Sequence, residues 1–243
     1  AYGRAVAGGQ VAMGAAGKIS SALSSIKNVI DQFTRSIHYY ELLEVAGDLE
    51  QALGRYDEAA SRYKKIALGP PPMVVRAGRL KGDVLAAEGR HLEAITEFEK
   101  VQSVDLVGGF VEQEKMMACL GQAESLLSLG RFSEAVSLIR TMLSGSHPEE
   151  VPIATTNVLL GNAYSLLGRS LAEMKQDQDA LIAYLTVDLV YGDAPETHAE
   201  ALFQLFQLWN SGGYPRRAEE VRKKLMKTYP KSTWATELNP STK

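Results

Sequence analysis

The residues that could carry chemistry are scattered. Four histidines, His38, His91, His147 and His198, form no HxxxH or HExxH pair. A metal site needs convergent ligands at fixed spacing, so no metal is expected. Cys119 is the single cysteine, flanked by Ala118 and Leu120. An internal disulfide and a multi-cysteine metal centre are both impossible, and with no base assignable to it the thiol reads as a small core hydrophobe. Val107-Gly108-Gly109-Phe110 lacks the lysine and spacing of a phosphate loop, and there is no GxSxG nucleophile elbow. What remains is binding chemistry. Arg76 and Arg79 are three residues apart, on one helical face, where two guanidinium groups can grip a carboxylate. The competing reading is an intramolecular or solvated ion pair with Glu41, Glu44 or Asp48. No catalytic residue and no cofactor are expected.

The elements that must position these residues announce themselves by repetition. Gly54-Arg55-Tyr56-Asp57-Glu58-Ala59 returns as Gly89-Arg90-His91-Leu92-Glu93-Ala94 and as Gly130-Arg131-Phe132-Ser133-Glu134-Ala135. Degenerate copies run Lys175 to Ala180 and Gly213 to Ala218. The five alanines are 35, 41, 45 and 38 residues apart, a repeat of about 34 residues with insertions. Each glycine suits the left-handed end of a helix. Asp57, Ser133 and Asp177 are expected to cap the helix that follows. Four residues after the alanine stand Tyr63, Phe98, Ile139 and Tyr184; twelve before it stand Gly47, Gly82, Ala123 and Gly168. Arg222 and Phe206 break both rules in the last copy. Pro71 and Pro230, twelve residues after their alanines, are read as helix stops.

Apolar spacing predicts helices at about 18–36, 38–53, 57–68, 73–88, 92–103, 111–129, 133–144, 152–174, 178–191, 197–211 and 215–229. If Gly161 is the packing glycine of the fourth pair, Ala180 follows it by 19 residues instead of 12. That predicts a helix lengthened by two turns, or alternatively a kink or loop near Gly168.

These phrases resemble the tetratricopeptide repeat family over roughly residues 37–235. The resemblance implies an all-α, right-handed superhelix, an α-solenoid of about five helix-turn-helix units preceded by an N-terminal helix. Residues 1–17 read as a small-residue-rich lead-in, 18–36 as that helix and 236–243 as a tail. The family implies a non-catalytic scaffold whose first helices line a concave groove for a protein or peptide. Register then places Glu41, Glu44 and Asp48, Arg76, Arg79 and Asp83, and Met117, Leu120 and Glu124 in the groove. Asn162, Ser165 and Arg169, then Glu200, Phe203 and Gln207, follow from the later units. The Lys/Asn carboxylate clamp of chaperone-binding relatives is absent. Tyr229-Pro230-Lys231-Ser232-Thr233-Trp234-Ala235 is similar to the repeat ending of bacterial cell-envelope members. A periplasmic or envelope location is therefore favoured over a cytoplasmic one, and the alternative function is a structural subunit of an envelope assembly. The plainer reading of the segment is a stop that tucks Trp234 over the last core.

Charge sets limits on partners. Of 243 residues, 26 are Lys or Arg and 29 Asp or Glu, a net charge of −3. That near-balance disfavours a nucleic-acid binder. The run from Arg4 to Lys18 is too short and too weakly apolar to span a bilayer, so any membrane association is indirect. Residues 216–231 carry Arg216, Arg217, Arg222, Lys223, Lys224, Lys227 and Lys231 against Glu219 and Glu220. Residues 41–58 carry Glu41, Glu44, Asp48, Glu50, Asp57 and Glu58 against Arg55. Opposed ends read as solvated caps, or else as the basis of a head-to-tail homo-oligomer.

Overall fold

A computed structural model of the chain describes residues 13–145 and 151–238. His147 lies outside them. Among the described residues the regular structure is wholly helical. Two compact units meet between Ser125 and Leu126, inside the sixth helix. No helix is long and apolar enough to cross a membrane.

The first unit holds α1 (Met13–Gln32), α2 (Tyr39–Ala52), α3 (Tyr56–Ile66), α4 (Pro71–Ala87), α5 (His91–Gln102) and most of α6 (Gly109–Ser128). The helices from α1 to α5 pack in chain order. Small residues let them approach: Gly47 sits under the Tyr63 ring, and Gly82 and Gly121 sit either side of the Phe98 ring. Ala59, Tyr63 and Ile66 of α3 pack with Ala77, Leu80 and Val84 of α4 in one buried cluster. Glu50, fully buried, is met by Lys27 at 2.8 Å and by Arg62 at 3.3 Å, so its burial is compensated.

The second unit holds α7 (Phe132–Ser144), α8 (Ile153–Glu173), α9 (Asp177–Val190), α10 (Pro195–Ser211), α11 (Pro215–Thr228) and α12 (Thr233–Leu238). Here Gly168 packs on the Tyr184 ring. His198, 7 % exposed, joins Asp188 at 2.7 Å to the Tyr229 hydroxyl at 2.8 Å, tying α9, α10 and the end of α11 together. Against the cost of burial, hydrogen bonds from His198 and Lys224 hold the Asp188 carboxyl below its ordinary range.

Several details differ from the sequence reading. Helix α1 starts at Met13, inside the expected lead-in, and ends at Gln32; α12 takes residues to Leu238 from the expected tail. The first residues of α1 are Met, Gly and Ala, and alanine and methionine are good helix formers. Pro71 opens α4 instead of closing α3, because the first turn of a helix needs no proline N–H. Asp57, Ser133 and Asp177 do not cap their helices. The N-cap residues are Arg55, Arg131 and Gln176, with no side-chain cap bond. The chain enters instead through the preceding helix end: Arg55, Arg90, Arg131 and Gln176 donate their N–H to carbonyls five residues back. Arg90 and Arg131 then reach forward to Glu93 and Glu134 with paired bonds of 2.6–2.7 Å.

Helix α8 is continuous through Gly168, without the alternative break. Its packing glycine is Gly168, 12 residues before Ala180, so the expected two-turn insertion does not exist. Five residues follow the packing glycine in α2, α4 and α8 alike. The extra length of α8 lies at its start, about one turn beyond α4. Gly161 serves that extension by lying against the Tyr191 carbonyl.

Candidate functional site

The predicted groove residues converge best in the first unit, on the face shared by α2, α4 and α6. Arg79 is 6 % exposed. Its Nε donates to Glu114 at 2.5 Å, its Nη1 to Asp83 at 2.5 Å, and its Nη2 lies 3.5 Å from Glu44. Arg76 bonds Glu44, lies 3.7 Å from Glu114 and stands over the Phe110 ring at 5.6 Å. Asp48 accepts the Tyr63 hydroxyl at 2.7 Å. Four carboxylates therefore surround two guanidinium groups, and the site carries an acidic surplus.

The electrostatics follow from that surplus. Burial pushes the Glu44 carboxyl up against the pull of Arg76 and Arg79. Burial also raises Asp48, although the Tyr63 hydrogen bond opposes it. Asp83 is pushed up to about 6 by burial, with Glu114 and Asp48 adding to the effect and Arg79 resisting it. Despite its burial, Arg79 is held charged by Asp83, Glu114 and Glu44.

Of the two readings of Arg76 and Arg79, the intramolecular pair is the one the geometry shows. Glu44 is the partner on α2, while Glu41 bonds His38 at 2.7 Å and is exposed. Glu114 was missed by the register. It lies one helical turn before Met117, on the same face, and that spacing was the available signal. Met117 and Glu124 are half-buried and Leu120 is buried. Four of the six acids between residues 41 and 58 are engaged inside the chain, which weakens the charge basis for head-to-tail contact.

In the second unit the expected residues mostly meet each other. The Thr197 hydroxyl donates to Asn162 at 2.6 Å, the Ser165 hydroxyl to Glu200 at 3.2 Å, and Arg169 lies 3.8 Å from Glu200. Gln207 is exposed. Phe203 is not on an open face: it is 5 % exposed, with the Trp234 ring 5.2 Å away, because α12 folds over the end of α10.

Among the described residues no group of three or more His, Cys, Asp or Glu side chains is placed to hold a metal ion. Burial pushes the Cys119 thiol up to about 11, away from the reactive thiolate.

Residues 44–104 match the tetratricopeptide repeat family. No curated protein sequence matches the chain significantly. The fold is similar to the crystal structure of PilW, a widely conserved type IV pilus biogenesis factor, with TM-score 0.64 and 18 % identity over 90 % of each chain. It is similar to BtubC (BKLC) from P. vanneervenii, with TM-score 0.62 and 14 % identity over 87 % of this chain and 91 % of that one. It is also similar to MamA from Desulfovibrio magneticus RS-1, residues 41 to the end, with TM-score 0.55 and 18 % identity over 80 % of this chain and 97 % of that one. Such repeats generally serve as protein-interaction scaffolds. With its five recurring phrases, its stacked helix pairs and these likenesses, the chain has the fold of a tetratricopeptide repeat array, and residues 44–104 carry the family's repeat.

Proposed function

We propose that this chain is a non-catalytic scaffold that holds a protein or peptide segment on the α2–α4–α6 face, and that a lysine or arginine of the partner completes the network there. The carrying observation is the imbalance of charge: among the described residues Glu44, Asp83 and Glu114 pair with Arg76 and Arg79, and Asp48 stands beside them held only by the Tyr63 hydroxyl. A partner cation placed beside Asp48 and Asp83 offsets the burial that raises both carboxyls, and at Asp83 also the repulsion from Glu114 and Asp48. Met117 and Glu124, on the same helical face of α6, extend the surface. The buried, high-pKa thiol of Cys119 supports binding over chemistry. The Tyr229–Ala235 segment is accounted for by packing of Trp234 on Phe203, so an envelope location has no further support from it.

A display library of extended peptides, selected on the chain at low and high salt, tests the reading. Enrichment of Lys- and Arg-containing peptides is expected, lost at high salt and in Asp48→Asn/Asp83→Asn. Enrichment of acidic peptides, or of basic peptides indifferent to that variant, would overturn it.

A further inference from the structure

Helix α9 has two faces that differ less than they should. Ala180, Ala183, Tyr184 and Val187 are buried, as the inner face of an outer helix requires. Its outer face is also apolar: Ile182, Leu189 and Val190 are 61, 75 and 60 % exposed, and Leu185 lies on the same stripe. From Ala180 to Val187 there is no charge at all. The neighbouring outer helices behave conventionally. Exposed α7 positions include Ser133, Ser137, Arg140 and Thr141, and exposed α11 positions include Arg216, Glu220, Lys223 and Lys227. A helix that is apolar all round is normally covered on every side, and an exposed apolar stripe with polar flanks marks an interaction site.

The charges at the two ends of this stripe identify the occupant. Asp177 and Asp179 are exposed at the start of α9 and make no ion pair among the described residues. At the other end Lys224 bonds Asp188 at 2.7 Å, a link from α11 to α9 across α10, on which both pack. Lys223 and Lys227, one and three residues from Lys224 on α11, are exposed, again with no ion pair among the described residues. Asp177 and Asp179 outweigh the exposed Lys175 at one end, Lys223 and Lys227 outweigh the exposed Asp193 at the other, and the middle is apolar. Such a surface is complementary to itself turned end over end, which is the requirement of an isologous contact. An acidic surface or an anionic bilayer would satisfy the lysines and leave the aspartates opposed to like charge.

We infer that α9 is the centre of a twofold homodimer interface in which the α9 helices of two copies cross antiparallel. Ile182 and Leu185 of the two copies meet near the axis. Asp177 and Asp179 of one copy face Lys223 and Lys227 of the other. Leu189 and Val190 then reach the start of the opposite α9. There, a recess of about 570 Å³ lies between α7 and the α8–α9 turn, with Val136 and Met174 among its walls. A 14-residue helix is about 21 Å long. Its stripe alone falls short of the roughly 800 Å² per partner of a stable complex, so the flanks on α7 and α11 belong to the interface. For an interface at the lower end of the stable size range, a dissociation constant of roughly micromolar order is expected. It is separate from the α2–α4–α6 face, and the two stand or fall independently.

Sedimentation velocity on the full chain across a concentration series tests this. Wild type is expected to dimerise reversibly, more weakly as salt rises. Ile182→Ser/Leu189→Ser is expected to weaken dimerisation at least tenfold. Asp177→Lys/Asp179→Lys and Lys223→Glu/Lys227→Glu are each expected to weaken it several-fold, and their combination to restore it. All these positions are exposed, so circular dichroism should show unchanged helix content. A wild type that stays monomeric up to about 500 µM at low salt would overturn the inference. So would a dimer indifferent to Ile182→Ser/Leu189→Ser, or a charge swap without rescue. A monomer that instead sediments with phosphatidylserine vesicles would assign the face to a membrane and equally overturn it.

Discussion

The ring of Tyr63 lies against the backbone of Gly47 so closely that a β-carbon on the glycine would fall 2.3 Å from Cε1. The same relation joins Gly82 to Phe98, at 2.5 Å, and Gly168 to Tyr184, at 2.8 Å. In each pair the ring is clamped between helices and cannot withdraw. Gly82→Ala should therefore destabilise the fold by about 2–3 kcal/mol through overpacking. Urea denaturation would show it, and pairing with Phe98→Leu, which frees the space, should recover part of the loss.

Lys175 stands where four other copies of the turn have glycine. Its φ is 61°, against 72°, 79°, 73° and 80° at Gly54, Gly89, Gly130 and Gly213. A side chain in this conformation is strained by roughly 1 kcal/mol. Lys175→Gly should therefore stabilise the protein by up to about 0.5 kcal/mol, the relieved strain exceeding the cost of the entropy that glycine adds to the unfolded chain. A higher thermal midpoint checks it; Gly89→Ala should move the midpoint down.

Arg79 is the common partner of Glu44, Asp83 and Glu114. Arg79→Ala leaves buried carboxylates without their counter-charge and should cost about 3–5 kcal/mol. Arg79→Met with Glu114→Leu removes both sides of the most buried pair and should cost less. Chemical denaturation of both variants measures the difference. Equal losses would mean that packing, and not charge, carries the cluster.

Asp83 supplies a pH signature. Its carboxyl is pushed up to about 6 from an ordinary value of 3.8, so between these values the folded chain binds more protons than the unfolded one. The contribution of this group is fully present below about 3.8 and is lost as pH rises through about 6. Because the side chain is 34 % exposed, the effect should not exceed about 2 kcal/mol. Asp188 acts in the opposite sense, stabilising above the ordinary carboxyl range. The difference between wild type and Asp83→Asn isolates the first effect. Denaturation midpoints measured from pH 4.5 to 7 should converge at the acid end and diverge with wild type the less stable above pH 6.

The helices were legible because burial imposes its period on the chain. Ala59, Ala94, Ala135, Ala180 and Ala218 are all buried, and so are Tyr63, Phe98, Ile139 and Tyr184. The paired Arg76 and Arg79 were legible as a charged cluster for the same reason. What was not legible depended on chain geometry at helix ends. Backbone carbonyls, and not Asp57, Ser133 or Asp177, close the turns; the recurring glycines announce that closure, but the polar residues beside them look equally like caps. Phe203 looked like a groove residue because register says nothing of α12, which folds back over it. Gly161 and Gly168 are both tight against a neighbour, and sequence alone could not tell which one sets the register.

The joint between the first two hairpins is built from different materials on its two sides. Toward α3 it is the apolar cluster of Tyr63, Ile66, Ala77 and Leu80; toward the α2–α4 face it is the Glu44 clasp on Arg76 and Arg79. Mechanically this is a hinge with a latch. The oily side sets a line about which α4 can rock, and the ionic side sets how stiffly it is held shut. Salt and acid soften the latch and leave the hinge line intact. On the proposed reading, a cation delivered by a partner would tighten it, converting occupancy of the face into stiffness of the joint.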